Sequence, residues 1–275
     1  MSDRITTPIL SIPRLGFGTW RLSGADGQAA VESALSLGYR ALDTAEMYAN
    51  EAEVGAGLKA SGLPRGDVFV TSKVWWTHLG PGEIRAACEA SLQRLGTDYL
   101  DLYLIHWPAP DMDLPRVMHD LARLREDGLA RAVGVANFPA GLLKRAIEVG
   151  VPIAANQVEY HALLSQDRLL EITRPQNIVL TAYAPLAQGR LASNPHIMAI
   201  AERHGANAAQ VALAWLLRQD GVSVIPKAAR PESQRANLQA LKLARELTDQ
   251  DVSELDGLPK DQRFVKPDFA PDWTA

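Results

Sequence analysis

The sequence predicts a single α/β domain in which about eight parallel strands, each followed by a helix, close into a barrel. Short apolar or β-branched runs recur along the chain, and segments with a helical period of apolar residues separate them. This alternation favours parallel pairing through right-handed crossovers. The length of 275 residues accommodates an eight-unit barrel, which needs roughly 250 residues.

The strands are expected where the apolar runs fall, at residues 15–18, 39–42, 68–70, 100–105, 132–135, 152–158, 178–182 and 222–225. Helical periodicity is clear in four of the intervening segments, at residues 84–95, 117–124, 142–147 and 208–216. Another helix is expected to start at Asn50, with Glu53 completing a capping box. Pro81 and Pro115 suit the first turns of helices, and Gly128 and Gly150 suit their ends.

No Gly/Ser-rich linker divides the chain, so residues 1–275 are expected to form one domain. The tail from Asp261 to Ala275 contains Phe264, Phe269 and Trp273. Because large aromatic side chains favour burial, we expect this tail to pack over one face of the barrel.

The composition excludes several classes of partner. The formal net charge is −4 and no block of like charge occurs, so neither a nucleic acid nor a membrane surface is expected to bind. We find no signal peptide and no run approaching the ~18 apolar residues of a membrane span. The single cysteine, Cys88, fits a reducing compartment. We therefore expect a cytoplasmic protein that acts as a monomer.

Three consecutive predicted strands end in an ionisable residue, namely Asp43, Lys73 and His106. The active sites of α/β barrels lie at the carboxyl ends of the strands, so these side chains can converge. Tyr48 can fold back from the loop after Asp43. Each residue alone has a structural explanation, such as a helix cap or a snorkelling lysine. Together they would be costly to bury without a function.

These four residue types suit the reduction of a carbonyl, which needs a hydride at carbon and a proton at oxygen. Tyrosine is a weak acid with a reference pKa of about 10. We expect the ammonium of Lys73 to lower that pKa and Asp43 to hold Lys73 in place. His106 can hydrogen-bond the carbonyl oxygen. The hydride must come from a nicotinamide, because no side chain can supply one.

Motifs along nearly the whole chain resemble those of the aldo-keto reductase superfamily, in particular the branch of bacterial 2,5-diketo-D-gluconate reductases of the B type and methylglyoxal reductases. The matching segments are residues 16–20, 42–45 with Tyr48 and 50–51, 72–75, 104–108, 134–138, 156–160, 225–227, 263–265 and 270–273. Such an ordered set is specific, and it implies an NAD(P)H-dependent oxidoreductase on a TIM barrel.

The resemblance also assigns roles. It makes Asp43, Tyr48, Lys73 and His106 the catalytic tetrad. The cofactor-binding residues that it implies are Thr19, Asn137, Gln157, Tyr183, Ala184, Pro185, Leu186, Gly189, Lys227, Arg230 and Asn237. The substrate-binding residues are Trp20, Trp75, His106 and Trp107. No metal site is implied, and the histidines show no metal-ligand spacing.

Several positions depart from the family pattern and bear on the cofactor. Ala136 and Ala228 stand where many members have serine, and Ser233 stands where an arginine is common. Loss of a guanidinium there weakens discrimination against NADH. Lys227, Arg230 and Arg235 still provide positive charge, so NADPH is the expected cofactor, with NADH as the alternative.

The loop between His106 and Pro115 is short, as is the C-terminal tail. Long versions of these segments build deep apolar pockets in the family. We therefore expect an open site for small polar aldehydes and ketones, such as keto-sugar acids or methylglyoxal.

Two other functions stay open at this stage. A barrel lyase could use Lys73 as a Schiff-base nucleophile, and a non-enzymatic subunit could bind the cofactor as a sensor. The chain contains no G-x-G-x-x-G, P-loop, H-E-x-x-H or G-x-S-x-G motif.

Overall fold

A computed structural model describes residues 3–274 of the chain. Residues 1, 2 and 275 of the predicted domain lie outside the described residues. The strands are β1 (Arg4–Thr6), β2 (Ser11–Pro13), β3 (Phe17–Gly18), β4 (Ala41–Asp43), β5 (Phe69–Val74), β6 (Leu100–Ile105), β7 (Ala130–Ala136), β8 (Ala155–Glu159), β9 (Val179–Tyr183) and β10 (Val222–Val224).

The α-helices are α1 (Gly24–Ser36), α2 (Glu51–Ala60), α3 (Glu83–Leu95), α4 (Leu114–Glu126), α5 (Ala140–Glu148), α6 (Asp167–Thr173), α7 (Pro195–Arg203), α8 (Ala208–Arg218), α9 (Pro231–Glu246) and α10 (Asp249–Asp256). Short 3₁₀ helices cover Glu46–Tyr48, Arg65–Asp67, Trp76–His78 and Ala187–Ser193. Every helix within residues 3–274 is too short or too polar to cross a lipid bilayer.

Strands β3 to β10 form one parallel sheet in sequence order, which confirms the predicted (β/α)8 barrel. The first and last strands meet through the hydrogen bonds from Gly16 N to Val224 O (2.8 Å) and from Gly18 N to Pro226 O (3.1 Å). A Cβ atom at Gly18 would lie 2.7 Å from the carbonyl oxygen of Ile225. Glycine is therefore required where the ends of the sheet approach each other.

An antiparallel hairpin of β1 and β2 precedes the barrel, and the sequence analysis did not predict it. Its apolar residues Ile5, Leu10 and Ile12 pack with Phe69 and Leu102 inside the barrel. The hairpin thus closes the end of the barrel where the strands begin. The opposite end of the barrel, where the strands finish, contains the predicted site residues Asp43, Lys73 and His106.

The predicted capping box at the start of α2 is wrong. Asn50 makes no side-chain cap; its amide donates to the carbonyls of Thr19 (2.8 Å) and Leu22 (2.7 Å), and its oxygen accepts from Thr44 Oγ1 (2.9 Å). Glu53 accepts instead from the backbone of Gly24 (3.2 Å). Asn50 is fully buried, so its side chain holds two loops of the barrel mouth together.

Candidate active site

A buried ion pair lies at the carboxyl ends of β4 and β5. Lys73 Nζ is 2.5 Å from Asp43 Oδ1 and donates to the Thr44 carbonyl at 2.8 Å. The Lys73 side chain is fully buried and that of Asp43 is 5 % exposed. Burial lowers the pKa of Lys73 below its ordinary value, and the negative charges of Asp43 and Glu51 oppose that shift. Removing either partner would leave a buried charge uncompensated, which is strongly destabilising.

Tyr48 lies at the end of the 3₁₀ helix that follows β4, half-buried beside this pair. The centroid of its ring is 5.2 Å from Lys73 Nζ and 5.5 Å from the centroid of the His106 ring. The residue after it, Ala49, has a φ of 52°, and this left-handed turn ends the short helix.

The expectation that Lys73 lowers the pKa of Tyr48 is wrong for this structure. Burial, and then the charges of Asp43 and Tyr183, raise the pKa of Tyr48 well above its ordinary value. The ammonium is hydrogen-bonded to Asp43, and that carboxylate offsets part of its field at the phenol. The phenol is therefore protonated at neutral pH, as a proton donor must be.

His106 follows β6 and is held through its main chain. Its N–H donates to the Val74 carbonyl, and its carbonyl accepts from Asn137 Nδ2, both at 2.9 Å. Burial and the positive charge of Lys73 lower the pKa of His106 well below its ordinary value, so the imidazole is neutral at pH 7. Its buried Nδ1 has no hydrogen-bond partner within residues 3–274.

Four of the predicted cofactor-binding residues, Thr19, Asn137, Gln157 and Tyr183, lie beside this cluster. Gln157 Nε2 donates to Asp43 Oδ2 at 2.7 Å, and the Tyr183 hydroxyl donates to Asn137 Oδ1 at 2.7 Å. Thr19 Oγ1 donates to the Asp43 carbonyl at 2.9 Å. The ends of β3, β4 and β8 are thereby linked through hydrogen bonds, as are the ends of β7 and β9, which fixes the orientation of the amide side chains.

Backbone strain is concentrated in the loop that follows β9. Ala184, Ala187, Gln188 and Gly189 all have a positive φ, between 47° and 90°. Only glycine adopts this region at little cost, and other residues pay roughly 1–2 kcal/mol. The loop contains the predicted cofactor contacts Ala184, Pro185, Leu186 and Gly189 at the same end of the barrel as Tyr48.

Three of the predicted cofactor-binding residues, Lys227, Arg230 and Asn237, lie just before α9 or within it. Lys227 and Arg230 are exposed, and Pro231 forms the first turn of the helix. A helix N-terminus with adjacent cations suits an anionic group. Asn237 differs from them, since it is 4 % exposed and interacts with the hydroxyl of Tyr39.

Aromatic side chains surround the mouth of the barrel. The Trp75 ring lies 5.2 Å from His106, and Phe269 contacts Trp75 at 5.4 Å, Trp76 at 5.3 Å and Trp107 at 5.6 Å between ring centroids. Trp20 is 44 % exposed and lies under the guanidinium of Arg21, 4.3 Å from its ring centroid. The structure thus brings Trp75 and Trp107 next to His106 and leaves Trp20 at the rim.

Sequence reasoning did not include Phe269 in the site. The tail that carries it runs across the mouth, and the backbone amides of Phe264 and Val265 donate to the carboxylate of Glu159. The concentration of aromatic residues in the tail was the available signal, but it did not specify which part of the site the tail contacts.

Comparison with known proteins identifies the family. The model of the aldo/keto reductase family matches residues 14–260, which is most of the chain. The chain belongs to the aldo/keto reductase family. An aldo/keto reductase is an NAD(P)H-dependent oxidoreductase that acts on carbonyl compounds, and the barrel described above is the fold of its relatives.

Individual relatives of this aldo/keto reductase match over almost their entire length. An aldo-keto reductase from Mycolicibacterium smegmatis is 42% identical over 96% of this chain and 96% of its own. Methylglyoxal reductase DkgB from Yersinia pestis is 40% identical over 96% of this chain and 100% of its own. A crystal structure provisionally described as a 2,5-diketo-D-gluconic acid reductase B superposes with a TM-score of 0.92 at 40% identity, covering 96% of this chain and 94% of that one.

Proposed function

We propose that this aldo/keto reductase uses NADPH to reduce small polar aldehydes and ketones, with Tyr48 as the proton donor. The observation that carries the proposal is the meeting of a protonated phenol, a buried Lys73–Asp43 pair and a neutral imidazole at one barrel mouth. These groups come from the ends of three neighbouring strands. Their convergence is what a proton-coupled hydride transfer needs.

The residues around the mouth fit a nicotinamide dinucleotide. Asn137 and Gln157 present buried amides, Tyr183 presents a partly exposed ring, and Lys227 and Arg230 expose positive charge. Amides can bind a carboxamide, and an aromatic ring can stack on a flat heterocycle. When bound, the dinucleotide supplies the hydride that no protein group can provide. We assign the carboxamide to Asn137 and Gln157 and the phosphates to the loop at 184–189 and the start of α9.

The protein's own groups handle the proton. The Tyr48 hydroxyl, protonated because burial raises its pKa, donates to the carbonyl oxygen as negative charge develops there. The ammonium of Lys73 stabilises the tyrosinate that remains, and Asp43 keeps that ammonium in place. Neutral His106 orients the substrate by donating a hydrogen bond to the same oxygen. Because His106 is neutral, it places no second positive charge beside Lys73.

The substrate class follows from the walls of the site and from the relatives. Only residues 106–113 separate β6 from α4, so no long insertion covers the mouth. The aromatic rings of Trp75, Trp107 and Phe269 form one wall of the site, next to the polar side chains of the tetrad. Relatives carry the names methylglyoxal reductase and 2,5-diketo-D-gluconic acid reductase B. We therefore propose small oxo-aldehydes and keto-sugar acids as substrates.

Steady-state assays with NADPH and NADH test this function directly. The panel consists of methylglyoxal, 2,5-diketo-D-gluconate, a simple aldehyde and a steroid ketone, and the signal is the fall in nicotinamide absorbance. We expect turnover of the small polar compounds with NADPH. Absence of cofactor oxidation with every compound would refute the proposal, and preference for the steroid would refute the substrate class.

A Schiff-base lyase is less well supported by the geometry. Lys73 Nζ is fully buried and bonded to Asp43 and to the Thr44 carbonyl. An ammonium in a buried ion pair has no free lone pair for attack on a carbonyl. Borohydride trapping separates the two functions, because a reductase gives no covalent adduct. The sensor hypothesis is tested by the same turnover assay.

A further inference from the structure

A buried carboxylate outside the tetrad holds the C-terminal tail. Glu159, the last residue of β8, is fully buried. Its Oε1 accepts from the amide of Phe264 at 2.8 Å, and its Oε2 accepts from the amide of Val265 at 3.0 Å. His161 Nε2 lies 3.0 Å from Oε1, and Arg263 Nη1 lies 3.8 Å from Oε2.

The ring of Phe264 strengthens this anchor. It stacks on His161 with a centroid distance of 5.4 Å and an interplanar angle of 22°. The guanidinium of Arg190, in the 3₁₀ segment that follows β9, lies 4.2 Å from its centroid. The anchor therefore joins the tail to β8 and to the loop that we assign to the cofactor phosphates.

Beyond the anchor the tail returns to the substrate side of the mouth. Phe269 packs edge-on against Trp75 and Trp107, at interplanar angles of 86° in both cases. Residues 264–270 belong to no strand or helix, so no sheet or helix hydrogen bonds hold them. The two amides that Glu159 binds lie shortly before Phe269 in the chain.

We propose that Glu159 is a positioning residue of this reductase, which holds Phe269 against Trp75 and Trp107 and so sets the shape of the substrate pocket. The proposal rests on the function proposed above. Glu159 acts through the tail and is not a catalytic residue. Each of its two oxygens accepts one backbone amide, an arrangement that a carboxylate provides and a carboxamide does not. A glutamine would place its NH₂ group against one of the two N–H donors.

Three variants test the proposal. Glu159→Gln removes one acceptor at unchanged size, and Phe269→Ala removes the ring that the tail delivers. Asp251→Asn is the matched control, since Asp251 is 2 % exposed and binds Arg203, His204 and Thr248 in the α7–α10 region. Like Glu159, it is a buried carboxylate that accepts several hydrogen bonds, but it has no contact with the tail in the described residues.

The first measurement is amide hydrogen exchange in a peptide that covers residues 262–270. Hydrogen bonds to a charged group are stronger than those between neutral groups, so we expect Glu159→Gln to accelerate exchange there by about tenfold or more. Asp251→Asn should leave this segment unchanged.

The second measurement is steady-state kinetics with methylglyoxal and with a bulky aromatic aldehyde. For Glu159→Gln we expect KM for methylglyoxal to rise by about tenfold, with kcat within about twofold of the wild-type value. The variant loosens a wall of the substrate pocket but leaves every catalytic group in place. The ratio of kcat/KM for the bulky over the small substrate should increase. Phe269→Ala should reproduce both changes, and the double variant should add little.

The outcomes are distinct. If Glu159→Gln loosens the tail but leaves KM and the substrate ratio unchanged, or if Asp251→Asn changes them equally, the proposal is wrong. If Glu159→Gln does not fold, Val265→Pro removes one amide donor without altering the buried carboxylate and is expected to give the same kinetic changes. If none of the carbonyl compounds supports oxidation of NADPH by the wild-type protein, the proposed function fails. The exchange comparison still decides whether Glu159 anchors the tail.

Discussion

At the scale of single residues, the site depends on opposite effects of burial on two titratable groups. The pKa of Tyr48 is raised because its charged form is the anion, and the pKa of His106 is lowered because its charged form is the cation. At pH 7 the phenol and the imidazole are therefore both neutral, and each carries a proton that it can donate. The positive charge of Lys73 adds to the lowering at His106, and at Tyr48 burial and the charges of Asp43 and Tyr183 outweigh it.

Replacing the phenol hydroxyl tests the assigned proton donor. We expect Tyr48→Phe to lower kcat by about 10²–10⁴-fold, the usual contribution of a general acid. Binding of NADPH, measured by quenching of tryptophan fluorescence, should change by less than about twofold, which is under ~0.4 kcal/mol. Loss of cofactor affinity together with turnover would mean that Tyr48 has another role.

The depressed pKa of His106 predicts a stability change with pH. The unfolded chain takes up a proton near pH 6.5, whereas the folded protein does so only at lower pH. The free energy of unfolding should therefore fall as pH decreases below about 6.5, by up to ~1.4 kcal/mol per pH unit for this one group.

Urea unfolding between pH 7 and pH 5 measures this slope. His106→Asn should reduce it. The control His119→Asn should not, because the His119 side chain is exposed, with its Nδ1 at 2.7 Å from the Pro115 carbonyl. Equal slopes in wild type and His106→Asn would contradict the assignment.

At the scale of elements, the closure of the barrel depends on β3. This strand has only two residues, and it contacts β4 on one side and the end of β10 on the other. Its glycine permits a backbone approach that any side chain would prevent, since the Ile225 carbonyl lies 2.7 Å from the position of a Cβ. A rigid backbone atom cannot move aside as a side chain does.

We expect Gly18→Ala to lower the free energy of unfolding by about 2 kcal/mol, within the usual range for overpacking. Gly66→Ala is the control, because no heavy atom outside its neighbours lies within 4 Å of its Cβ position. Chemical denaturation of both variants checks this. If Gly18→Ala is as stable as Gly66→Ala, the first and last strands do not pack as closely as described.

Several elements were beyond the sequence analysis. Helices α6 and α10 have seven and eight residues, too few for a helical period to be distinctive. The hairpin of β1 and β2 has strands of three residues each, with Pro8 between them and Pro13 at the end of β2. Its stability comes from packing against the barrel floor, which local patterns do not report. The longer runs at 100–105 and 208–216 were assigned within two residues.

At the scale of the whole molecule, the two ends of the barrel have different roles. The hairpin closes one end with apolar side chains, while the other end gathers the tetrad, the aromatic wall and the tail. The apolar packing of the hairpin and the groups of the tetrad therefore lie at opposite ends of the barrel. Ligands that bind only the folded mouth should stabilise the entire domain.

This coupling gives a test of cofactor preference. NADPH at about 100 times its Kd should stabilise the protein by ~2.7 kcal/mol and raise its Tm. NADH at the same concentration should raise the Tm less. Arg230→Ala should reduce the stabilisation by NADPH and leave that by NADH nearly unchanged, because Arg230 would bind the additional phosphate. Equal stabilisation by both cofactors would contradict the preference for NADPH.

The sequence by itself determined the barrel, the order of its strands and the strand ends at which Asp43, Lys73 and His106 lie. These features depend on local periodicity and on chain order, which a single chain displays directly. The ordered motifs also identified the family, because they span nearly all of the length.

Only the tertiary structure decided that Asn50 joins two loops instead of capping α2, that the pKa of Tyr48 is raised, and that Glu159 brings Phe269 to the substrate pocket. Glu159 and Phe264 are 105 residues apart in the chain. Contacts of this kind depend on how the strand ends and the tail pack together, and the desolvation that sets a pKa depends on the same packing. No local pattern of residue types encodes either one.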